Sequence, residues 1–135
     1  MASASPRSIR VVAAVIANEG RYLITQRRPT AVLPLLWEFP GGKVEANESD
    51  ADALRREVRH RLSVEIEVGE LISFVSHPYE FYVVHLYLYE CRVTGGELRA
   101  MNVHDFRWVT SDEFDRYPFT PADEASMNKL LGMTS

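Results

Sequence analysis

Apolar and polar residues alternate along this chain in two rhythms. Ile9 to Ala17 (IRVVAAVIA) and Tyr22 to Thr25 (YLIT) are short apolar runs around Asn18-Glu19-Gly20, which predicts two paired strands joined by a tight turn. Further on, Ala51, Leu54, Val58 and Leu62 recur at three- and four-residue steps, and Ser49 with Asp52 offers a cap, so a helix is expected from Asp50 to Leu62. VEIEV, ELISFVSH and FYVVHLYLYEC return to the strand rhythm. In the last of these, Phe81, Val83, Tyr87 and Tyr89 alternate with Tyr82, Val84, Leu86 and Leu88, so both faces are apolar and need covering. His85 falls on the first face, as a hydrogen-bonded core or pocket-wall histidine.

Gly95-Gly96 predicts a turn, Phe106 to Val109 a short strand, Ser111 to Phe114 a helical turn, and the segment from Pro121 a closing helix. The stretch from Pro29 to Gly42 is rich in proline and glycine and reads as one irregular loop, of a length that tends to carry function. The architecture expected from pattern alone is α/β: a mixed sheet with a helix on each face.

With 135 residues, 46% of them hydrophobic, the chain suits a single domain over 1–135, with residues 1–8 as a flexible N-terminal segment. A formal net charge of -4 argues against binding a nucleic acid polymer through a basic face, but leaves a small anionic ligand open. The single Cys91 has no internal disulfide partner and reads as a small buried hydrophobe. No export signal or membrane span is visible, so the expected compartment is cytoplasmic, for a monomer or homodimer.

The chemistry turns on LRREVRHRLSV. On a helix, residues 57, 60 and 61 share one face, away from the apolar stripe, so their side chains can converge on one ligand. FPGGKVEANE precedes this helix, and its paired glycines allow a tight turn or a close approach to a bound group. The plainer reading is a solvated face: Glu57 with Arg61 is an i,i+4 ion pair worth roughly 0.3–0.5 kcal/mol, and Asp52 with Arg56 is another.

From Gly42 to Val64 the chain resembles the signature of the Nudix hydrolase family, G-x5-E-x7-R-E-U-x-E-E-x-G-U. Gly42, Glu48, Arg56, Glu57, Val58 and Val64 fall at the required spacings. LITQRR, LWEFPGGK and FTPADEASMNKL are similar to segments of the MutT branch. That resemblance implies an α/β/α sandwich and cleavage of nucleoside triphosphates, such as 8-oxo-dGTP or a pyrimidine triphosphate, to monophosphate and pyrophosphate. It also implies Mg2+ or Mn2+ held by helix glutamates, because hard cations take oxygen ligands and neutralise charge on the phosphates.

By the same resemblance Glu57, Arg56 and Glu48 take the catalytic positions, Glu57 a metal position, and Arg27, Phe39 and Asp123 the nucleotide positions, with Asp123 at the base. The residues themselves add the Gly41 carbonyl and His60 as substitute metal ligands, and Lys43 and Arg61 as cations able to meet phosphates. The box is degenerate: His60 and Arg61 stand where it has glutamates, Ser63 where it has glycine, and Asn102 aligns with a later metal-binding glutamate. Glu57 and Arg61 cancel where three glutamates would give -3, which disfavours Mg2+; Glu45, Glu48 and Asp105 are the substitute ligands to hand. Weak or altered metal-dependent hydrolysis is therefore expected. The alternative is an inactive module binding a nucleotide or a protein partner, with Arg61, Arg27 or Arg28, and Lys43 meeting phosphates directly.

Overall fold

β1 (Arg7–Asn18) is the axis of the fold: it runs parallel to β6 (Tyr82–Gly96) from Arg7 opposite Tyr82 to Ile16 opposite Cys91. The structure, a computed structural model, describes residues 7–134. Because side chains alternate along a strand, β1 sends Ala13 and Val15 to one core, and Val12, Ala14 and Ile16 to the other. The first core lies under α2 (Pro121–Thr134), which adds Ala122 and Met127; the second lies under α1 (Asp50–Leu62), which adds Leu54, Val58 and Leu62. A helix thus covers each face of a mixed sheet, as the two apolar faces of β6 require.

The sheet runs β3 (Trp37–Glu38), β2 (Arg21–Gln26), β1, β6, β5 (Val64–Pro78), while β4 (Gly41–Lys43) pairs with β1 and β7 (Asp105–Val109) with β2. A 3-10 turn spans Ser111–Arg116. No helix among the described residues is long and apolar enough to cross a membrane.

Several expectations change. Arg7 and Ser8, expected in a flexible segment, pair in β1; residues 1–6 lie outside the described residues. The Pro29–Gly42 loop holds two short strands. β5 is continuous through its register shifts, including the one between Val68 and Leu71, and Gly95 and Gly96 end β6 opposite Glu65 and Val64 rather than turning. Asp52 pairs with Arg55, not Arg56. His85 is half-buried, with Nδ1 2.7 Å from the Ser76 hydroxyl and its ring stacked on Phe74.

Helix α1 begins where the Ser49 hydroxyl accepts the Asp52 N–H at 3.1 Å. Its last turn carries Arg59, His60 and Arg61, cations that suit the negative end of the helix dipole. It ends at Ser63, whose φ of 64° places a non-glycine residue in the left-handed region while its N–H donates to the Arg59 carbonyl. The carbonyls of Arg61 and Leu62 accept N–H groups from Met101, Asn102 and Arg99, which docks that loop on the helix end. Ser63→Gly should relieve the left-handed strain and raise stability by about 0.5–1 kcal/mol in urea unfolding; an unchanged midpoint would contradict the strain.

Candidate active site

Between β3 and α2 the backbone knits the site together. Trp37 donates to the Pro118 carbonyl and Thr120 donates to Trp37, both N–H groups at under 3 Å (2.8 and 2.9 Å), bringing the start of α2 beside Phe39. There the Asp123 carboxylate accepts the Phe39 N–H at 3.0 Å and the Thr120 hydroxyl at 2.6 Å. On the other side, β4 threads between β1 and α1. A Cβ on Gly41 would run into the Val12 carbonyl, and one on Gly42 would come within 2.5 Å of the Glu57 carboxylate. Neither glycine has positive φ. The pair therefore serves close approach rather than a tight turn: Gly41 approaches the β1 backbone at Val12, and Gly42 approaches Glu57.

Glu57 is 9% exposed, which removes it from a solvated face. Its Oε1 accepts Arg56 Nη1 at 2.6 Å and its Oε2 accepts Arg61 Nε at 2.7 Å. Charge-assisted bonds of this kind contribute roughly 1.5–3 kcal/mol each where solvent is largely excluded, above the surface-pair value. Arg56 also donates to both Glu48 oxygens at 2.8 and 2.9 Å and to the Lys43 carbonyl at 3.0 Å, and lies 3.3 Å from Glu45. The Arg56 guanidinium and the Glu45 N–H hold the Glu48 carboxyl down at about 2. Arg56 is thus a clamp joining the loop to the helix.

A cavity of about 560 Å³ opens here, lined by Arg27, Phe39, Gly41, Lys43, Glu57, Arg61 and Asp123 among others. Arg56, Glu48 and His60 are not part of its wall. Glu38, Tyr79, Phe81, Tyr82 and Thr120 are, and sequence reasoning passed over all five. Glu38 had a readable signal: Trp37-Glu38-Phe39 alternates like a strand, with the acid facing away from the core. Arg27 Nη1 donates to the Glu38 carboxylate at 3.1 and 3.3 Å, and its Nε donates to the Val32 carbonyl, so this guanidinium pins the loop. Burial pushes the Glu38 carboxyl up, against the pull of Arg27. Asp123 is pushed up to about 7, first by burial and then by Glu38, with Thr120 and Phe39 pulling the other way.

A second cavity of about 230 Å³ shares Arg27 and Arg61 with the first and adds Arg28, Thr30, Ala31 and Asn102. Arg28 Nη1 donates to Asn102 Oδ1 at 2.8 Å, and Asn102 Nδ2 lies 3.0 Å from His60 Nε2. Because a guanidinium can only donate, the Asn102 oxygen must face Arg28 and its amide must donate to His60, leaving Nε2 as acceptor.

A family profile described as NUDIX domain matches residues 11–129. The chain belongs to the Nudix family. Among its relatives, the Escherichia coli K12 CTP pyrophosphohydrolase is 37% identical over 127 residues, covering 94% of each chain. The Haemophilus influenzae 8-oxo-dGTP diphosphatase is 30% identical over 127 residues, covering 93% of each. The solution structure of the E. coli ORF135 protein superposes with a TM-score of 0.81 at 33% identity, covering 96% of this chain and 93% of that one. The MutT protein of Methanosarcina mazei, at 21% identity and a TM-score of 0.86 over 98% and 99% of the two chains, shares the fold.

Nudix proteins of the MutT type generally use a divalent metal such as Mg2+ or Mn2+. The residues here do not fit one. Among the described residues no three His, Cys, Asp or Glu side chains cluster to hold an ion. Both Glu57 oxygens are taken by guanidinium, and Glu45 and Glu48 face Arg56. Asp105 accepts from Arg107 and the Phe106 N–H, and His60 Nε2 is turned to Asn102. A divalent cation beside Glu57 would also meet Arg61, a repulsive neighbour that cannot ligate.

The raised Asp123 carboxyl gives this Nudix fold a pH signature. A folded value near 7 against an unfolded value near 3.8 means that the native state holds the proton more tightly. The associated stability is complete below about pH 4 and is lost as pH rises toward 7. Thermal unfolding of wild type should therefore weaken between pH 4 and 7 relative to Asp123→Asn; parallel pH curves for the two would contradict the assignment.

Proposed function

We propose that this Nudix protein binds a nucleoside triphosphate whose base carries an exocyclic amine and cleaves it, slowly, to monophosphate and pyrophosphate. The reaction adds water across one phosphoanhydride bond: the water oxygen joins phosphorus, the bridging P–O bond breaks, and pyrophosphate leaves. What carries the reading is one cavity whose wall joins the Asp123 and Glu38 carboxylates to the Glu57–Arg61 pair. Buried carboxylates recognise N–H donors, and a site built to hydrogen-bond a donor rejects analogues lacking it. The amine of cytosine and the N–H edge of 8-oxoguanine both supply donors, while uracil has the O4 acceptor where cytosine has its amine.

Phe39, Tyr79 and Tyr82 offer the apolar surface that a base needs, as ligand cavities usually do. The relatives named for CTP and for 8-oxo-dGTP are consistent with either base. Slow turnover follows from the guanidinium groups that occupy Glu57, the one glutamate retained from the family's helix trio.

Pyrophosphate release from CTP, dCTP, 8-oxo-dGTP and UTP, with Mg2+ and with Mn2+, tests this. Turnover should be slow, about tenfold or more in favour of CTP over UTP by kcat/KM, and lost in Glu57→Gln. Asp123→Ala should lower kcat/KM for CTP by about 10–100-fold and flatten the preference. Absence of pyrophosphate from every substrate, or equal use of CTP and UTP, would overturn the proposal. In a separate arm, restoring carboxylates with His60→Glu and Arg61→Glu should raise the Mg2+-dependent rate at least about tenfold; a rate no higher than wild type would show that these two positions do not limit it.

A further inference from the structure

We propose that the smaller cavity, lined by Arg27, Arg28, Thr30, Arg61 and Asn102, is a polyphosphate subsite that needs no divalent cation. In it the guanidinium groups of Arg28 and Arg61 do the charge neutralisation for which the family's helix carboxylates recruit metal ions. The mismatch between this chain and a metal site then has a positive meaning: cations built into the chain fill the place.

Three observations converge on this cavity. The Arg28 guanidinium makes no ion pair with any carboxylate among the described residues; its one side-chain hydrogen bond among them, to Asn102 Oδ1, aims it while leaving its other N–H groups available. Arg61 spends only Nε on Glu57, so its two terminal nitrogens remain to face the cavity that the residue lines. The balance of charge is also positive. Arg27 is matched by Glu38 and Arg61 by Glu57, so Arg28 leaves the local sum at +1. Planar guanidinium forks pair with phosphate oxygens through two parallel N–H bonds, and the Thr30 hydroxyl can add a third donor.

The loop docked on the helix end makes the arrangement specific. Because the Arg61 carbonyl accepts the N–H groups of Met101 and Asn102, the Asn102 side chain is fixed between His60 and Arg28. Position 102 therefore aims a cation. Since the two cavities share Arg27 and Arg61, a ligand whose base sits in the larger one can extend its phosphates into the smaller. The subsite rests on the proposed function only for the identity of that ligand.

Isothermal titration of the full chain in EDTA, with inorganic tripolyphosphate and with CTP, tests the subsite. Both ligands should bind without metal. Arg28→Ala and Arg61→Ala should each weaken tripolyphosphate by about tenfold or more, while Arg92→Ala, which removes a distant exposed cation paired with Glu67, should leave the affinity unchanged. Arg61→Ala strips a partner from buried Glu57; if it fails to fold, the exposed Arg28 still decides the matter. No tripolyphosphate binding in EDTA, full affinity in Arg28→Ala, or an equal loss in Arg92→Ala would overturn the proposal. Metal-free binding by a protein that releases no pyrophosphate would remove the hydrolytic reading and support the subsite. CTP binding no better than tripolyphosphate would support it too, while removing the base from the proposed function.

Discussion

A carboxylate with one tenth of its surface left to water must have its charge answered by neighbours, and at Glu57 the answer comes from two guanidinium groups, one on each oxygen. Much of the site depends on that pairing. Gly42 must lack a side chain because the Glu57 carboxylate lies against it, and Arg56 carries the pairing outward to Glu48 and the Lys43 carbonyl, so loop, strand and helix are fixed together. Arg61 also suits the negative end of the helix dipole, so the helix gains stability from the same residue that pairs with Glu57.

The site is divided by charge. Toward the start of α2, Asp123 and Glu38 are carboxylates in a buried setting, raised because burial disfavours their ionised forms. Toward the end of α1, Arg28 and Arg61 present donors to a small polar cavity. Arg27 sits between the two and lines both cavities. A ligand with hydrogen-bond donors at one end and anionic oxygens at the other matches this polarity, as a nucleotide does. The aromatic and aliphatic wall between them adds area without specificity.

The helix of the site was legible almost to the residue, because an amphipathic stripe, a serine cap and the family spacing all agree over Asp50–Leu62. The two-faced strand was legible from its double apolar alternation. The Pro29–Gly42 segment was not, because its two short strands exist through pairing with β1 and β2, and partners distant in sequence leave no local period. The same reason hid the partners of Glu38: its strand alternation is local, but Arg27 and Asp123 lie 11 residues before and 85 after, and only the fold brings the three together. Asn102 drew notice only through its alignment with a glutamate of the family pattern; its contact with Arg28 depends on the loop docked on the end of α1.

Whether guanidinium groups, and not a metal, complete the Glu57 site is tested most directly by titrating Mn2+ into the nucleotide-free protein and following paramagnetic broadening of backbone amide resonances. No saturable, site-selective broadening around Gly41, Glu57 and His60 is expected. Saturable broadening centred on those residues at micromolar Mn2+ would contradict that expectation.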